Sequence, residues 1–127
     1  MLLSALSVEA DTENPVESAA SYDQAQMICG EIGDKFGNRR YYWEVFDPHE
    51  VSEPVAGDLG DDFADIYQDV KDGLVAFNAV SANEGLWHWQ YSFRTHWGNH
   101  LVNSLRAIHH FIFGQMSGEV YLDTSHV

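Results

Sequence analysis

Apolar residues recur every three or four positions over most of the chain, which is the spacing of amphipathic helices. The clearest stripe runs from Asp58 to about Ser81, through Leu59, Phe63, Ile66, Val70, Leu74 and Phe77. Such a stripe is wide enough to face a core. Gly73 sits inside it, where the missing side chain would let another helix approach closely. Earlier, Ala19, Tyr22, Met27, Ile28 and Ile32 predict a helix from about Val16 to Phe36. It should end near Gly33 or Gly37, because glycine favours the C-terminal cap. Later, Leu86, Phe93, Trp97, Leu101, Ser104, Ile108 and Phe111 predict a helix from Glu84 to about Phe113, with Asn83 as its N-cap. A straight helix of that length would reach about 45 Å, so a bend near Gly98 is expected.

Residues 38–56 break the helical period. Tyr41, Tyr42, Trp43, Val45 and Phe46 favour extended backbone, and Pro48 and Pro54 forbid a continuous helix. The expectation is an extended aromatic segment crossing the helices, turning at Asp47-Pro48 and packing its rings on the body. Residues 1–7 are apolar but short, and residues 8–17 form an acidic loop containing Pro15. Residues 1–15 are read as a loosely packed N-terminal segment. Residues 115–127 are read as a tail, with a short extended piece at Val120 to Leu122. Residues 1–127 then form a single helical domain. The expected fold is all-α: an up-down bundle of three to four helices with an extended aromatic crossover.

Charge narrows the list of partners. Twenty acidic residues face six Lys and Arg, for a formal net charge of −14. That field repels phosphate and anionic membrane surfaces, so neither nucleic acid nor membrane is an expected partner. The 45% hydrophobic content still allows a real core. No apolar run approaches the roughly 18 residues that a membrane span needs. The single cysteine, Cys29, makes an internal disulfide impossible. A reducing cytoplasm is therefore the expected compartment, with Cys29 as a structural thiol.

Two polar rows carry the candidate chemistry. Asp58, Asp62, Asp65, Asp69 and Asp72 step by four and three along one helix. At 100° per residue they fall within about 80° of arc beside the apolar stripe. His96 and His100 stand four residues apart on the other long helix, one turn from each other on one face. If the two borders pack together, carboxylate oxygen meets imidazole nitrogen, as in helical bundles that hold Zn, Fe or Mn. The spacing holds no H-E-x-x-H and no E-x-x-H, which argues against a carboxylate-bridged di-iron centre. No nucleophile elbow, glycine-rich phosphate loop or Cys-x-x-Cys is present. The bland alternative is that the histidines bond to the aspartates or to backbone carbonyls and fix the packing. Trp87, Trp89, Tyr91, Phe93 and Trp97 project around much of their helix. They read as core packing first, and otherwise as a sticky surface for a partner.

Three ordered motifs resemble a family of uncharacterised bacterial proteins, a domain of unknown function. They are Tyr41-Tyr42-Trp43-Glu44-Val45-Phe46-Asp47-Pro48; then Pro54-Val55-Ala56-Gly57 with Leu59 and Asp61-Asp62; then His96-Trp97-Gly98-x-His100. The resemblance covers about residues 38–113. It implies an all-helical fold and assigns no activity. It also implies more helix before the acidic loop than this chain carries, as in a truncated relative. It draws attention to Asp61, Asp62, Asp65, His96, Trp97, Gly98 and His100 and gives them no role.

The leading expectation is a non-enzymatic interaction or structural domain. Its partner would be a second copy of itself or another protein, met through Trp87, Trp89, Trp97, Tyr42 and Trp43 or through the acidic face. The alternative is a metal-binding helical bundle, extending to a metal-dependent hydrolase. There His96 and His100 would be ligands of Zn, Fe or Mn, with Asp62 or Asp65 completing the shell and Asp69 orienting a ligand or a bound water.

Overall fold

The structure, a computed structural model, describes residues 22–114. The expectations for residues 1–21 and for the tail after Gly114 lie outside the described residues. The chain is mainly helical, with one small sheet. Helix α1 spans Tyr22–Phe36, and a 3-10 turn follows at Gly37–Arg40. Strands β1 (Tyr41–Glu44) and β2 (Val55–Asp58) form an antiparallel pair. Helix α2 spans Leu59–Ala79. Helix α3 spans Ala82–Ser92, and a π-helical turn at Phe93–Trp97 leads into helix α4, Gly98–His109. A last π-helical turn covers His110–Gly114. Among the described residues no helix is long and apolar enough to cross a membrane.

Helix α2 is the hub, because α1, α3 and α4 all pack against it. Leu59, Ala64 and Ala76 are its buried apolar side chains. Small residues set the spacing. A methyl group on Gly73 would stand 2.2 Å from Trp89 Nε1, so α3 lies directly on that glycine. Trp89 stacks on Phe77, with centroids 5.8 Å apart, and its Nε1 donates to the Val70 carbonyl at 2.9 Å. Phe36 of α1 meets both Phe63 of α2 and Phe111 edge-on, joining the ends of three helical segments. The apolar stripe is buried unevenly: Leu59 is enclosed, while Val70, Leu74 and Phe77 stay partly in solvent.

Two expectations are corrected. The aromatic segment does not cross the helices as a single extended strand. It folds back, pairing Tyr41 with Asp58, Tyr42 with Gly57, Trp43 with Ala56 and Glu44 with Val55. Successive strand side chains point to opposite faces. Tyr42 therefore turns inward, while Tyr41, Trp43 and Phe46 face solvent rather than the body. The turn at Asp47-Pro48 is present, with Asp47 Oδ1 accepting from the His49 amide at 2.9 Å.

The N-cap of α3 is Ser81, not Asn83. Ser81 Oγ accepts from the Glu84 amide at 3.0 Å. The Ser-x-x-Glu order is that of a capping box, which places the cap two residues earlier.

Just before Gly98 the long helix holds a π turn, in which the Gly98 amide donates to the Phe93 carbonyl. A π turn inserts one extra residue and so rotates α4 by about 100° relative to α3. That rotation lets Trp89 of α3 and His100 of α4 both face α2.

Candidate functional site

The site lies where α2 and α4 run side by side in opposite directions. Asp58 caps α2 by accepting from the Gly60 amide at 2.8 Å, and the aspartate row continues one turn later at Asp62. The two polar rows meet. His100 Nδ1 lies 2.7 Å from Asp62 Oδ1, and His96 Nδ1 lies 2.6 Å from Asp69 Oδ2. Asp65 stands between the rings. Its Oδ2 is 3.2 Å from His100 Nε2 and 3.9 Å from His96 Nε2. The two imidazoles are nearly perpendicular, at 79°, with centroids 4.8 Å apart.

Hydrogen-bond chemistry assigns the nitrogens. An ionised carboxylate only accepts, so Nδ1 of each ring carries the proton that Asp62 or Asp69 receives. In a neutral ring Nε2 then holds a lone pair. Both lone pairs converge on an Asp65 oxygen that has no proton of its own when ionised. Only a proton or a metal cation between them makes that meeting favourable. Burial pushes the Asp65 carboxyl above its ordinary range. The neighbouring His100 and His96 pull it back down, and Asp61 and Asp69 add to the rise.

Tyr42 extends the network. Its hydroxyl donates to Asp62 Oδ2, the oxygen that His100 does not use. Burial comes first, followed by the Asp62 hydrogen bond and the Asp62 and Glu44 charges, in holding this hydroxyl far above the ordinary phenol range. Tyr42 is therefore always a donor here. Its ring rests on Gly57, where a methyl group would stand 2.4 Å from Cζ. Asp62 is buried, at 4% exposure, while the His96 side chain is 47% exposed. The network is thus anchored inside and open outside.

The residues singled out in the sequence divide by environment. Asp65, His96 and His100 each offer an atom within 4.8 Å of the others. Asp62 lies against the His100 ring with both oxygens engaged, one by His100 Nδ1 and one by Tyr42. Trp89 and Trp97 use their indole N–H groups internally, Trp97 toward Ser92 Oγ at 3.1 Å. Trp87 stacks on Tyr91 at 5.1 Å. Trp43 is 74% exposed. The role of Tyr42 against Asp62 was not foreseen from the sequence. Strand alternation, which points residue 42 to the face opposite 41 and 43, is the signal that finds it.

A second cluster joins Cys29, Asp58 and Asp61. Arg40 already fills it. Its Nε and Nη2 reach Asp58 at 3.0 and 2.9 Å, and Nη2 lies 3.7 Å from Cys29 Sγ. Cys29 donates to Asp61 Oδ1 at 3.2 Å. Burial first, then the Asp61 hydrogen bond and charge, push the thiol up, so it stays protonated.

Fold and site together define a mainly helical protein with a histidine–aspartate network on facing helices. The chain belongs to the family described as Domain of unknown function (DUF5063), whose model matches residues 2–113. The resemblance read from the three motifs is thereby shown. Among solved structures, the chain is similar to the crystal structure of protein BF1032 from Bacteroides fragilis, with a TM-score of 0.68 and 24% identity. That match covers 83% of this chain and 62% of that one, and it shows the fold alone. None of the curated proteins matches the chain.

Proposed function

We propose that this helical bundle holds a divalent transition metal through His96 Nε2, His100 Nε2 and Asp65. One observation carries the reading. Each histidine has its Nδ1 oriented by its own aspartate, which leaves both Nε2 atoms aimed at one further carboxylate. Metal-bound histidines characteristically donate their second nitrogen to a carboxylate, which fixes the tautomer and raises ligand basicity. Asp62 and Asp69 then orient the ligands, and Asp65 is a ligand. Tetrahedral zinc with bonds of about 2.0–2.1 Å spaces its ligand atoms about 3.3 Å apart. The 3.2 and 3.9 Å separations around Asp65 need only small movements to reach that.

Imidazole and carboxylate together suit Zn, Fe or Mn. Three protein ligands and an exposed His96 leave room for water or substrate, which is the form of a catalytic rather than a purely structural site. Such an ion would activate its water for hydrolysis, so a metal-dependent hydrolase is the enzyme reading.

Elemental analysis of the purified, untagged protein and zinc titration by calorimetry test it. The expected results are one ion per chain, a melting temperature lowered by EDTA, and loss of binding in His96→Ala and His100→Ala. No saturable zinc binding and no response to EDTA would sink the proposal.

A second reading, an interaction domain, draws support from apolar surface. Tyr41, Trp43 and Phe46 project from the hairpin. A groove of about 360 Å³ opens among Phe63, Ile66, Tyr67, Leu101, Leu105 and Ile108. A homodimer or another protein would cover such a surface. Sedimentation velocity over a range of concentrations tests the homodimer, and a strictly monomeric protein would remove it.

A further inference from the structure

We infer that Tyr42 is a positioning residue for the ion site, acting on His100 through Asp62 from outside the helices that supply the ligands. The inference rests on the metal reading above and concerns what tunes that site.

Asp62 has two oxygens and two partners. Oδ1 meets His100 Nδ1 at 2.7 Å and Oδ2 accepts from the Tyr42 hydroxyl. A carboxylate pinned at one oxygen alone can still swing about its Cβ–Cγ bond. Pinned at both, it holds one plane, and the imidazole bonded to it holds one orientation. Asp62 is buried, so without the Tyr42 hydroxyl its second oxygen would lose the donor it now accepts from. A buried charge with an unpaired acceptor is costly, and side chains shift to relieve it. The movement would pass directly to His100.

The hairpin is built to make this contact. Residue 42 is on the inward face of β1, opposite Gly57 in the strand register. Gly57 has no side chain, and the phenol ring lies across it, with Cζ only 2.4 Å from where a methyl carbon would stand. Any larger residue at position 57 would push the ring off its line to Asp62. The two other network aspartates differ. Asp69 bonds His96 Nδ1 and Asp65 faces both Nε2 atoms, with no tyrosine hydroxyl bonded to either among the described residues. His100 is therefore the more rigidly held ligand of the pair, and His96 the more adaptable one.

The test uses Co²⁺ as a spectroscopic probe in the full chain. Its visible absorption reports ligand geometry, and titration gives affinity. Four proteins are compared: wild type, Tyr42→Phe, Asp62→Asn and the double variant, each with its thermal melt. Tyr42→Phe keeps the ring and removes only the hydroxyl. The expected result is a Co²⁺ affinity about tenfold weaker in Tyr42→Phe, the low end for loss of an outer partner, with an altered absorption band. In the Asp62→Asn background the same change should have little further effect, because coupled residues are non-additive.

Unchanged affinity and spectrum in Tyr42→Phe overturn the inference while leaving the metal reading standing. Fully additive losses in the double variant also overturn it, since Tyr42 would then act by a route other than Asp62. Absence of Co²⁺ binding by the wild type overturns both. If Tyr42→Phe melts too low to titrate, Gly57→Ala supplies the same readout by displacing the hydroxyl with its hydrogen intact, and unchanged Co²⁺ binding there overturns the inference.

Discussion

Oδ2 of Asp65 faces Nε2 of His100 at 3.2 Å, two groups that repel unless a proton or a cation lies between them. The position of Asp65 is thus a liability to the fold and the centre of the site. Functional sites commonly trade stability in this way.

That conflict gives a pH dependence with a definite sign. Burial raises the Asp65 carboxyl above its ordinary range, so the folded state favours the protonated form more than the unfolded state does. Its contribution is fully present below the unfolded value and is lost as pH rises through the raised folded value. Near neutral pH the ionised carboxylate weakens the metal-free fold. Asp65→Asn removes that charge and supplies an N–H toward His100 Nε2. We expect the metal-free variant to melt a few degrees higher than wild type near neutral pH, with the gap closing in acid. Calorimetric melts at several pH values in EDTA check this. A variant less stable than wild type at neutral pH would contradict it.

Gly98 is where the π turn closes. A methyl group there would stand 2.3 Å from the Phe93 carbonyl oxygen, a backbone atom that cannot swing aside. Gly98→Ala should therefore cost about 1–3 kcal/mol, the usual range for overpacking. It should also weaken metal binding, because His96 lies in that turn. Urea unfolding read by tryptophan fluorescence measures the first effect, and zinc calorimetry the second.

The start of α3 depends on a single hydroxyl. Ser81→Ala removes the acceptor for the Glu84 amide. The expected loss is about 1 kcal/mol, typical for an N-cap. Asn83→Ala, two residues into the helix region, should be close to neutral. A thermal melt of both variants discriminates them, and equal losses would mean that the cap assignment fails.

Cys29 should be a slow thiol. Its burial and the nearby Asp61 hold it protonated, and the thiolate is the reactive form. Alkylation by iodoacetamide, followed by mass spectrometry, should lag behind that of a free cysteine across the mildly alkaline range. Asp61→Asn removes one of the raising charges and should speed the reaction. An unchanged rate would show that burial alone controls the thiol.

Much of the helical architecture was legible because burial on one face repeats at the helical period. The stripe through Leu59, Phe63 and Ile66 follows from that rule. The hairpin was less legible. Each strand is four residues long, and its aromatics could equally have belonged to a buried crossover. Ser81 was readable from its Glu84 partner, yet Asn83 offered a competing cap. The π turn left no mark in the apolar spacing, since Phe93 and Trp97 fit an ordinary helix. The aspartate and histidine rows were visible as rows. Their meeting was not, because it depends on how α4 is rotated on α2, a property of packing rather than of local sequence. Tyr42 was missed as a network member because its segment read as a crossover, to which the alternation of a paired strand was not applied.

The π turn also decides where this chain tolerates changes of length. One residue removed between Ser92 and Gly98 would turn α4 by about 100°, carrying His100 away from Asp62 while α3 stayed in place on Gly73. One residue added would turn it as far the other way. Between β1 and β2 the chain runs exposed through Val45 to Pro54, and there an insertion would change only the size of a loop. Variation in length among related chains should gather at the tip of the hairpin, and the helical stretch that carries the histidines should keep a fixed count of residues.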